Sequence, residues 1–512
     1  MWQTQRRCYR VVRTSLGAFL QANASLQKDA AAALHSSTAL VAADTNSNSI
    51  YENLAAEEAL IRGLSLEEHQ CVLLYYVNRP CVVVGRNQNI FQEVSLRRAT
   101  QDGVDVARRA SGGGAVFHDL QNLCLSFLTH RSRYAPMKTI QLVRLGLSAA
   151  YGVDPARITT TDRYDLFLDK KKITGSAMRV QRDIAYHHCT LLVNTPLALL
   201  GRYLHPEGDY AGFQTTSVGS VRSPVTTLTE SGCTPPVPSA MDMVKANMTD
   251  FFFSQGGRVL NAASPWDMDI EELRRDFAAT RTAYASCPLY SLDVRTAVKE
   301  DLPFVEGEGR RYACGDAVTL GEAVRRAGSK AWAYAMPPFT STVGVSKDEF
   351  QSCLCGLPTW ADVVRLASLT ERELLHELTQ VLFTENEAGQ QPSSVLQLRT
   401  TVDRRSVTRF EALMLNGGGA PSSETAPEAP VEWLSRFFSS LLVGSPCDTP
   451  IGGVEAVGDA SVLVQGFLHE VGTAAPDLPD LARDASVLML VKVLLTIWRE
   501  KNVFDVCRGV RE

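Results

Sequence analysis

The 512-residue chain has no long hydrophobic run. The nearest, Val487 to Trp498, is interrupted by Lys492 and falls short of the roughly 18 apolar residues that suggest a membrane span. Charge of one sign is also missing: 51 Lys and Arg face 56 Asp and Glu, a net charge of −5. A nucleic-acid binder would normally show a strongly basic domain, so that class is disfavoured. The 12 cysteines form no C-x-x-C pair, and Cys353 and Cys355 are the closest two. The nine histidines show no H-E-x-x-H or other zinc spacing. Free thiols in a reducing compartment therefore fit better than a disulfide framework. Neither a Walker A loop (G-x-x-x-x-G-K-S/T) nor a G-x-G-x-x-G fingerprint occurs. There is no long repeat and no compact apolar segment of the kind a secretory signal needs. With 45% apolar and 21% charged residues, what remains is an ordinary globular chain, long enough for about two to four domains.

Residues 1–28 carry Arg6, Arg7, Arg10, Arg13 and Lys28, and the first acid is Asp29. Read as a helix, this stretch puts Arg6, Arg10 and Arg13 on one face and Tyr9, Val12, Leu16 and Phe19 on another. An Arg-rich, Ser-rich, acid-poor amphipathic start has the composition of a mitochondrial transit peptide. Residues 1–47 are accordingly expected to be a leader outside the fold, with the mature protein in the mitochondrial matrix.

From Tyr51 the pattern changes. Asn53 to Ile61 spaces its apolar residues as an amphipathic helix does. Val72–Val77 and Cys81–Val84 read as two strands around the Asn78-Arg79-Pro80 turn. Val104–Arg108 and Leu123–Leu128 are further strands with a glycine loop between them, and Ile140–Tyr151 is a helix. Asp165–Leu168, Lys172–Val180 and Thr190–Asn194 read as strands, and Met241–Phe252 and Leu320–Ala327 as helices. The fold class is thus α+β with a central sheet over residues 48–339, and residues 284–319 read as an insertion of weak periodicity. Pro337-Pro338 marks the boundary to residues 340–512. There Glu371–Phe383 predicts a helix and Val395–Leu415 a hairpin around Asp403. Asn416–Pro430 predicts a flexible loop, followed by helices at Trp433–Leu442 and Ala485–Glu500.

Two segments carry chemistry. In the first, residues 108–122, three glycines (Gly112, Gly113, Gly114) follow Arg108, Arg109 and Ser111. Glycines leave the backbone open to a ligand, and their N–H groups can form an anion-binding nest. In the second, residues 169–178, Lys172 begins a strand and is followed by Gly175, Ser176 and Ala177. A lysine there could hold a carboxylate and a phosphate together as charge develops between them. Lys170 and Lys171 read as solvated turn residues, His118 as a hydrogen bonder ordering the loop, and Cys124 and Cys189 as small buried hydrophobes.

Together these segments resemble the lipoate–protein ligase A family. The Arg-Arg-x-Ser-Gly-Gly-Gly-x-Val-Phe-His-Asp-x-x-Asn block stands as residues 108–122, the Lys-Ile/Val-x-Gly-x-Ala block as Lys172–Ala177, and the His-His-x-Thr-Leu-Leu segment as His187–Leu192. Asn53–Glu58, Val84–Asn89, Thr216–Val225 and Trp332–Phe339 support it. The resemblance implies a biotin/lipoate protein ligase-like catalytic domain with a central mixed sheet and flanking helices. A smaller α+β accessory (lid) domain over residues 340–512 would close over the active site. It further implies ATP-dependent activation of lipoate to lipoyl-AMP, with Mg²⁺, then transfer to a lysine of a lipoyl domain. The acceptors would be E2 subunits of 2-oxoacid dehydrogenase complexes or the glycine cleavage H protein. The alternative is a lipoyltransferase that uses preformed lipoyl-AMP or lipoyl-protein. Position by position, the resemblance makes Lys172 the catalytic lysine. It places Arg109, Ser111, Gly112, Gly113, Gly114, Ala115, Val116, Phe117, Asn122, Asp165, Gly175, Ser176, Ala177 and His188 at the ATP or lipoyl-AMP site. One departure stands at Tyr164, where the family often has Asn: tyrosine cannot make an amide's contacts.

Overall fold

A computed structural model describes residues 10–21, 39–181, 183–206, 213–234, 239–280, 287–303, 319–356, 370–382, 395–403 and 406–415, with isolated positions in 360–365, 434–439 and 490–497. The chain divides into two compact units, Met1–His205 with Val218–Tyr334, and Pro206–Ser217 with Ala335–Glu512.

The first unit is built on a seven-stranded sheet. Its members are β1 (Arg10–Ser15), β2 (Ala39–Asp44), β3 (Gln70–Val77), β7 (Asn122–His130), β11 (Ser176–Val180), β12 (Ile184–Leu192) and β14 (Pro288–Asp293), in the order β1-β14-β2-β3-β7-β12-β11. Neighbours from β1 to β3 are parallel and those from β3 to β11 antiparallel, so the sheet is mixed, as expected. Strand alternation sorts the core into two layers. Cys71, Leu73 and Tyr75 of β3 join Leu123, Leu125 and Phe127 of β7 on one face, against the helices Pro136–Tyr151 and Ala240–Asn261. Val72, Leu74 and Tyr76 point the other way with Cys124 and Leu128, against the helices Ile50–Gly63 and Leu320–Ala327. Local signals fix the helix ends. Ser49 caps Ile50–Gly63 by accepting from the Glu52 N–H. Pro136 sits in the first turn of the next helix, and Gly152 closes it at φ +68°.

Two small sheets flank the large one. β4 (Cys81–Val84) lies between β5 (Asp105–Arg108), parallel to it, and β6 (Val116–His118), antiparallel. β9 (Leu166–Leu168) lies between β8 (Ile158–Thr160) and β10 (Lys171–Lys172). In the second unit, β13 (Phe213–Thr215), β15 (Phe339–Ser346), β16 (Val395–Asp403) and β17 (Ser406–Leu415) form an antiparallel sheet. β16 and β17 are the hairpin expected around Asp403. The loop expected at Asn416–Pro430 lies outside the described residues, as do most of the two distal helices. No described helix is long and apolar enough to cross a membrane.

β3 and β4 flank the Asn78–Pro80 turn as expected, and they enter different sheets. Other readings need correction. Lys172–Val180 is not one strand but two, β10 and β11, separated at residues 173–175. Residues 288–299, read as part of an insertion, supply β14 and a helix. Parts of the expected leader also belong to the sheet: residues 10–15 form β1 rather than a helix, and 39–44 form β2. Nothing local signals this, because β1, β14 and β2 pair only across long sequence separations. β2 is covered along its length, with Ala42 and Ala43 0% exposed between β14 and β3. A chain starting at Ser47 is therefore expected not to fold, since β3 would be left with an unpaired apolar edge. Circular dichroism and a cooperative melt check this; a native-like melt for that chain would overturn the placement of β2.

Candidate active site

The glycine loop runs from β5 to β6 and is braced from within. The Arg109 guanidinium donates to the carbonyls of Gly112 (2.6 Å), Gly114 (2.8 Å) and Val83 (3.1 Å), and to Ser111 Oγ (3.0 Å). Arg108 is 1% exposed and does the same for the preceding turn, donating to the carbonyls of Gly85, Arg86 and Gln88 at 2.8, 3.0 and 2.8 Å and to Ala333 at 3.0 Å. The two arginines thus order backbone and do not stand as free charges at the loop's mouth. Burial lowers both to about 10, so they stay cationic at neutral pH.

Gly113 has φ +87°, a region costly for any side chain. Gly85 is needed for a different reason: a Cβ there would lie 2.1 Å from the Gly113 carbonyl oxygen. Gly85→Ala is expected to destabilise the unit by roughly 1–3 kcal/mol through overpacking. A Cβ on Gly112 would meet nothing within 4 Å, so Gly112→Ala should leave the melting temperature unchanged. Equal melts for the two variants would contradict this loop packing.

β12 carries His187 and His188 on opposite faces. His188 Nε2 lies 2.8 Å from Ser111 Oγ and its Nδ1 3.1 Å from Glu57 Oε1. A buried chain thus runs from the helix Ile50–Gly63 through His188 and Ser111 to Arg109. Burial alone would raise Glu57, but His188, Ser126 and Arg109 outweigh it and hold the carboxyl below its ordinary value. On the other face, His187 lies 2.5 Å from Thr139 Oγ1 and 3.0 Å from Ser176 Oγ.

Lys172 sits at the end of β10, its backbone tied to the carbonyl of Pro224 (2.8 Å). Its Nζ is 2.6 Å from Asp165 Oδ2, while Asp165 Oδ1 accepts the Ser176 N–H at 2.7 Å. Lys170 is exposed in the turn as expected, while Lys171, also exposed, is the first residue of β10 and not a turn residue.

These elements enclose a pocket of about 430 Å³. Of the expected site residues, Arg109, Gly112, Gly113, Gly114, Ala115, Val116, Asp165, Lys172, Gly175, Ser176, Ala177 and His188 line it. Three do not. Ser111 lies behind the wall, bonded to His188 and Arg109. Phe117 points away by strand alternation and stacks on Tyr203 at 5.3 Å. Asn122 is fully buried at the start of β7, with its amide against Cys124 Sγ. Motif spacing had left the apolar wall unnamed, and it comprises Ile50, Leu54, Tyr76, Val83, Val116 and Cys124. Ile50, Leu54 and Glu57 share one helix face, a spacing visible in the sequence. His118 also lines the pocket. Its Nδ1 accepts from Asn78 Nδ2 (2.9 Å), in a buried chain continuing to Asn53. Val218–Val221 complete the rim. Ser220 Oγ accepts the Ala115 N–H at 2.8 Å and is itself bonded to Glu93.

Residues 49–252, which hold all of this geometry, match the model of the lipoyl protein ligase A/B catalytic domain. This stretch belongs to that family. The chain shares 39% identity over 186 residues with human lipoyl amidotransferase LIPT1, mitochondrial, covering 36% of this chain and 48% of that protein. With the mouse protein of the same name it shares 40% over 190 residues, covering 37% and 49%. The chain therefore spans about half the length of the curated relatives it matches. Among solved structures, P. falciparum LipL1 in complex with lipoate aligns at TM-score 0.40 and 17% identity, over 78% of this chain and 88% of that one. Lipoate-protein ligase A bound with ATP aligns at TM-score 0.34 and 21% identity, over 48% and 98%.

Proposed function

We propose that the chain is a lipoyltransferase, which takes a preformed lipoyl donor, lipoyl-AMP or a lipoylated protein, and passes the acyl group to a lysine amine of a lipoyl domain. The observation that carries this reading is the distribution of cations in the pocket. Arg109 is committed to five contacts with its own loop and the adjoining strand, and Arg163 is exposed. Among the described residues lining the pocket, Lys172 is the cation that stands partly buried beside an oriented carboxylate. One ammonium suits the single negative charge that develops on an acyl carbonyl oxygen. Activating lipoate with ATP would also require neutralising a triphosphate as pyrophosphate departs. The names of the mammalian relatives point the same way.

In this reading the apolar wall holds the aliphatic tail and dithiolane, and the glycine-loop N–H groups face the donor's phosphate. The acceptor amine attacks the acyl carbon. Lys172 stabilises the resulting oxyanion, and collapse expels the donor's leaving group as the new amide forms. Magnesium, expected with ATP, has no protein cage here: among the described residues no three His, Cys, Asp or Glu side chains cluster to hold a metal ion.

The acceptors are lipoyl domains of 2-oxoacid dehydrogenase E2 subunits or the H protein, and the location is mitochondrial, as in the relatives' names. Loss of residues 1–47 on import would remove β1 and β2. The test is a comparison of donors with apo lipoyl domain as acceptor. Lipoyl-AMP or a lipoylated H protein is expected to give product, and lipoate with ATP orders of magnitude less. Equal rates with lipoate and ATP would make the chain a complete ligase.

A further inference from the structure

Tyr164, next to the lysine-holding Asp165, has φ +62°. That left-handed conformation costs a side chain such as tyrosine roughly a five- to thirtyfold loss in population. Something must hold it there, and the hydrogen bonds identify what does. Ser176 Oγ donates to the Tyr164 carbonyl at 2.6 Å, which uses its only proton. Its 3.0 Å contact with His187 Nε2 must then be an N–H donated by the imidazole. Burial and the neighbouring His188 lower His187 to about 3, so the ring is neutral and its Nδ1 is an acceptor. The Thr139 hydroxyl has two acceptors in reach, the Pro136 carbonyl at 3.0 Å and this Nδ1 at 2.5 Å, and with Nε2–H given to Ser176 in a neutral ring its proton goes to the nearer Nδ1. The chain Thr139–His187–Ser176–Tyr164 therefore has a single proton direction. It ends on a carbonyl whose next residue orients Lys172, while the Ser176 N–H fixes the other oxygen of Asp165.

We infer that His187, which does not line the pocket, is a positioning residue: through Ser176 it pins the strained Tyr164 turn and so sets the aim of the Asp165–Lys172 pair. The inference rests on the reading of Lys172 as the cation at the acyl carbonyl. It gives the adjacent histidines of β12 separate duties, His188 ordering the glycine loop on one face and His187 the lysine turn on the other.

A double-mutant cycle tests this in the full-length chain, with lipoyl-AMP as donor. His187→Phe keeps a ring against Phe127 and Tyr164 but removes both nitrogens. It should lower kcat about fivefold, the equivalent of one neutral hydrogen bond, with KM for the donor nearly unchanged. Glycine adopts φ +62° without help. In a Tyr164→Gly background the same change should therefore alter kcat by less than about 1.5-fold. Ser176→Ala, which cuts the chain one link later, should show the same dependence on Tyr164. An equal loss in both backgrounds, or no loss in either, overturns the inference. Lys172→Ala run alongside tests the underlying reading by itself. An active Lys172→Ala protein would remove the lysine's role, while a persisting Tyr164 dependence of the His187 effect would still uphold the chain as the device that sets the turn.

Discussion

Lys172→Ala is expected to slow lipoyl transfer by about 10²–10³-fold, the usual consequence of removing one donor aimed at a developing oxyanion. The side chain is well placed for the task. It is 21% exposed, reaching the pocket while screened from bulk water, and its Nζ is held 2.6 Å from Asp165. An ammonium fixed in advance need not reorganise as charge appears, and that is the source of its effect. Little of the fold depends on it, since the residue's anchoring contacts are made by backbone: its N–H to Pro224 and its carbonyl to the Thr226 N–H. The variant should thus keep its circular dichroism spectrum and lose turnover. Lys170→Ala and Lys171→Ala, both exposed, should change neither. Asp165→Asn should fall between, because an amide oxygen can still accept the Ser176 N–H but no longer anchors the ammonium. Near wild-type turnover for a folded Lys172→Ala protein would remove the lysine from the mechanism and leave the pocket a binding site only.

What the sequence made legible was local. The glycine loop, the Lys172 block and the His187–His188 pair could be read because each packs its chemistry into a few consecutive residues. The pocket brings nearly all of them together. The hairpin β16–β17 and the helix Ile50–Gly63 were legible for the same reason, since a turn adjoins its strands and apolar spacing repeats within a helix. What could not be read is whatever depends on pairing at a distance. β1, β14 and β2 are neighbours in space but separated by up to most of the first unit in sequence. The Arg-rich, Ser-rich composition around β1 and β2 suggested a leader instead. Burial was equally invisible: nothing in the Arg108-Arg109 pair tells that both side chains are buried, and only the fold shows carbonyl groups converging on each. At Tyr164 the sequence showed a departure from the expected amide. The structure shows how the turn survives it, with the residue's own carbonyl taking the contact that holds the loop.

Mild acid is expected to destabilise the first unit steeply, and two histidines explain why. His118 and His187 are both lowered to about 3 by burial, with Arg109 and His188 adding to the effect at His118 and His188 at His187. In the unfolded chain each returns to an ordinary value of about 6.5. Between these limits the unfolded state binds two protons that the folded state refuses, so stability falls as pH falls. The limiting slope for two such groups is roughly 2.7 kcal/mol per pH unit, reached about one unit below 6.5. Together the two groups remove roughly 4 kcal/mol by pH 5 and roughly 7 by pH 4, enough to unfold a domain at the lower end of the typical range of about 5–15 kcal/mol. Glu57 adds to the loss below its ordinary value of about 4.5, where the unfolded chain takes up a proton that the folded carboxyl, held lower, does not. Urea titrations at pH 7, 6 and 5 measure the slope, and His187→Phe supplies the control. With one of the two imidazoles gone, the slope should be about halved, whatever the variant does to stability at pH 7. A midpoint that does not move between pH 6.5 and 5 would mean that these imidazoles accept protons in the folded state. The neutral Nε2–H donor assigned to His187, and with it the proton direction through Ser176 to Tyr164, would then be wrong.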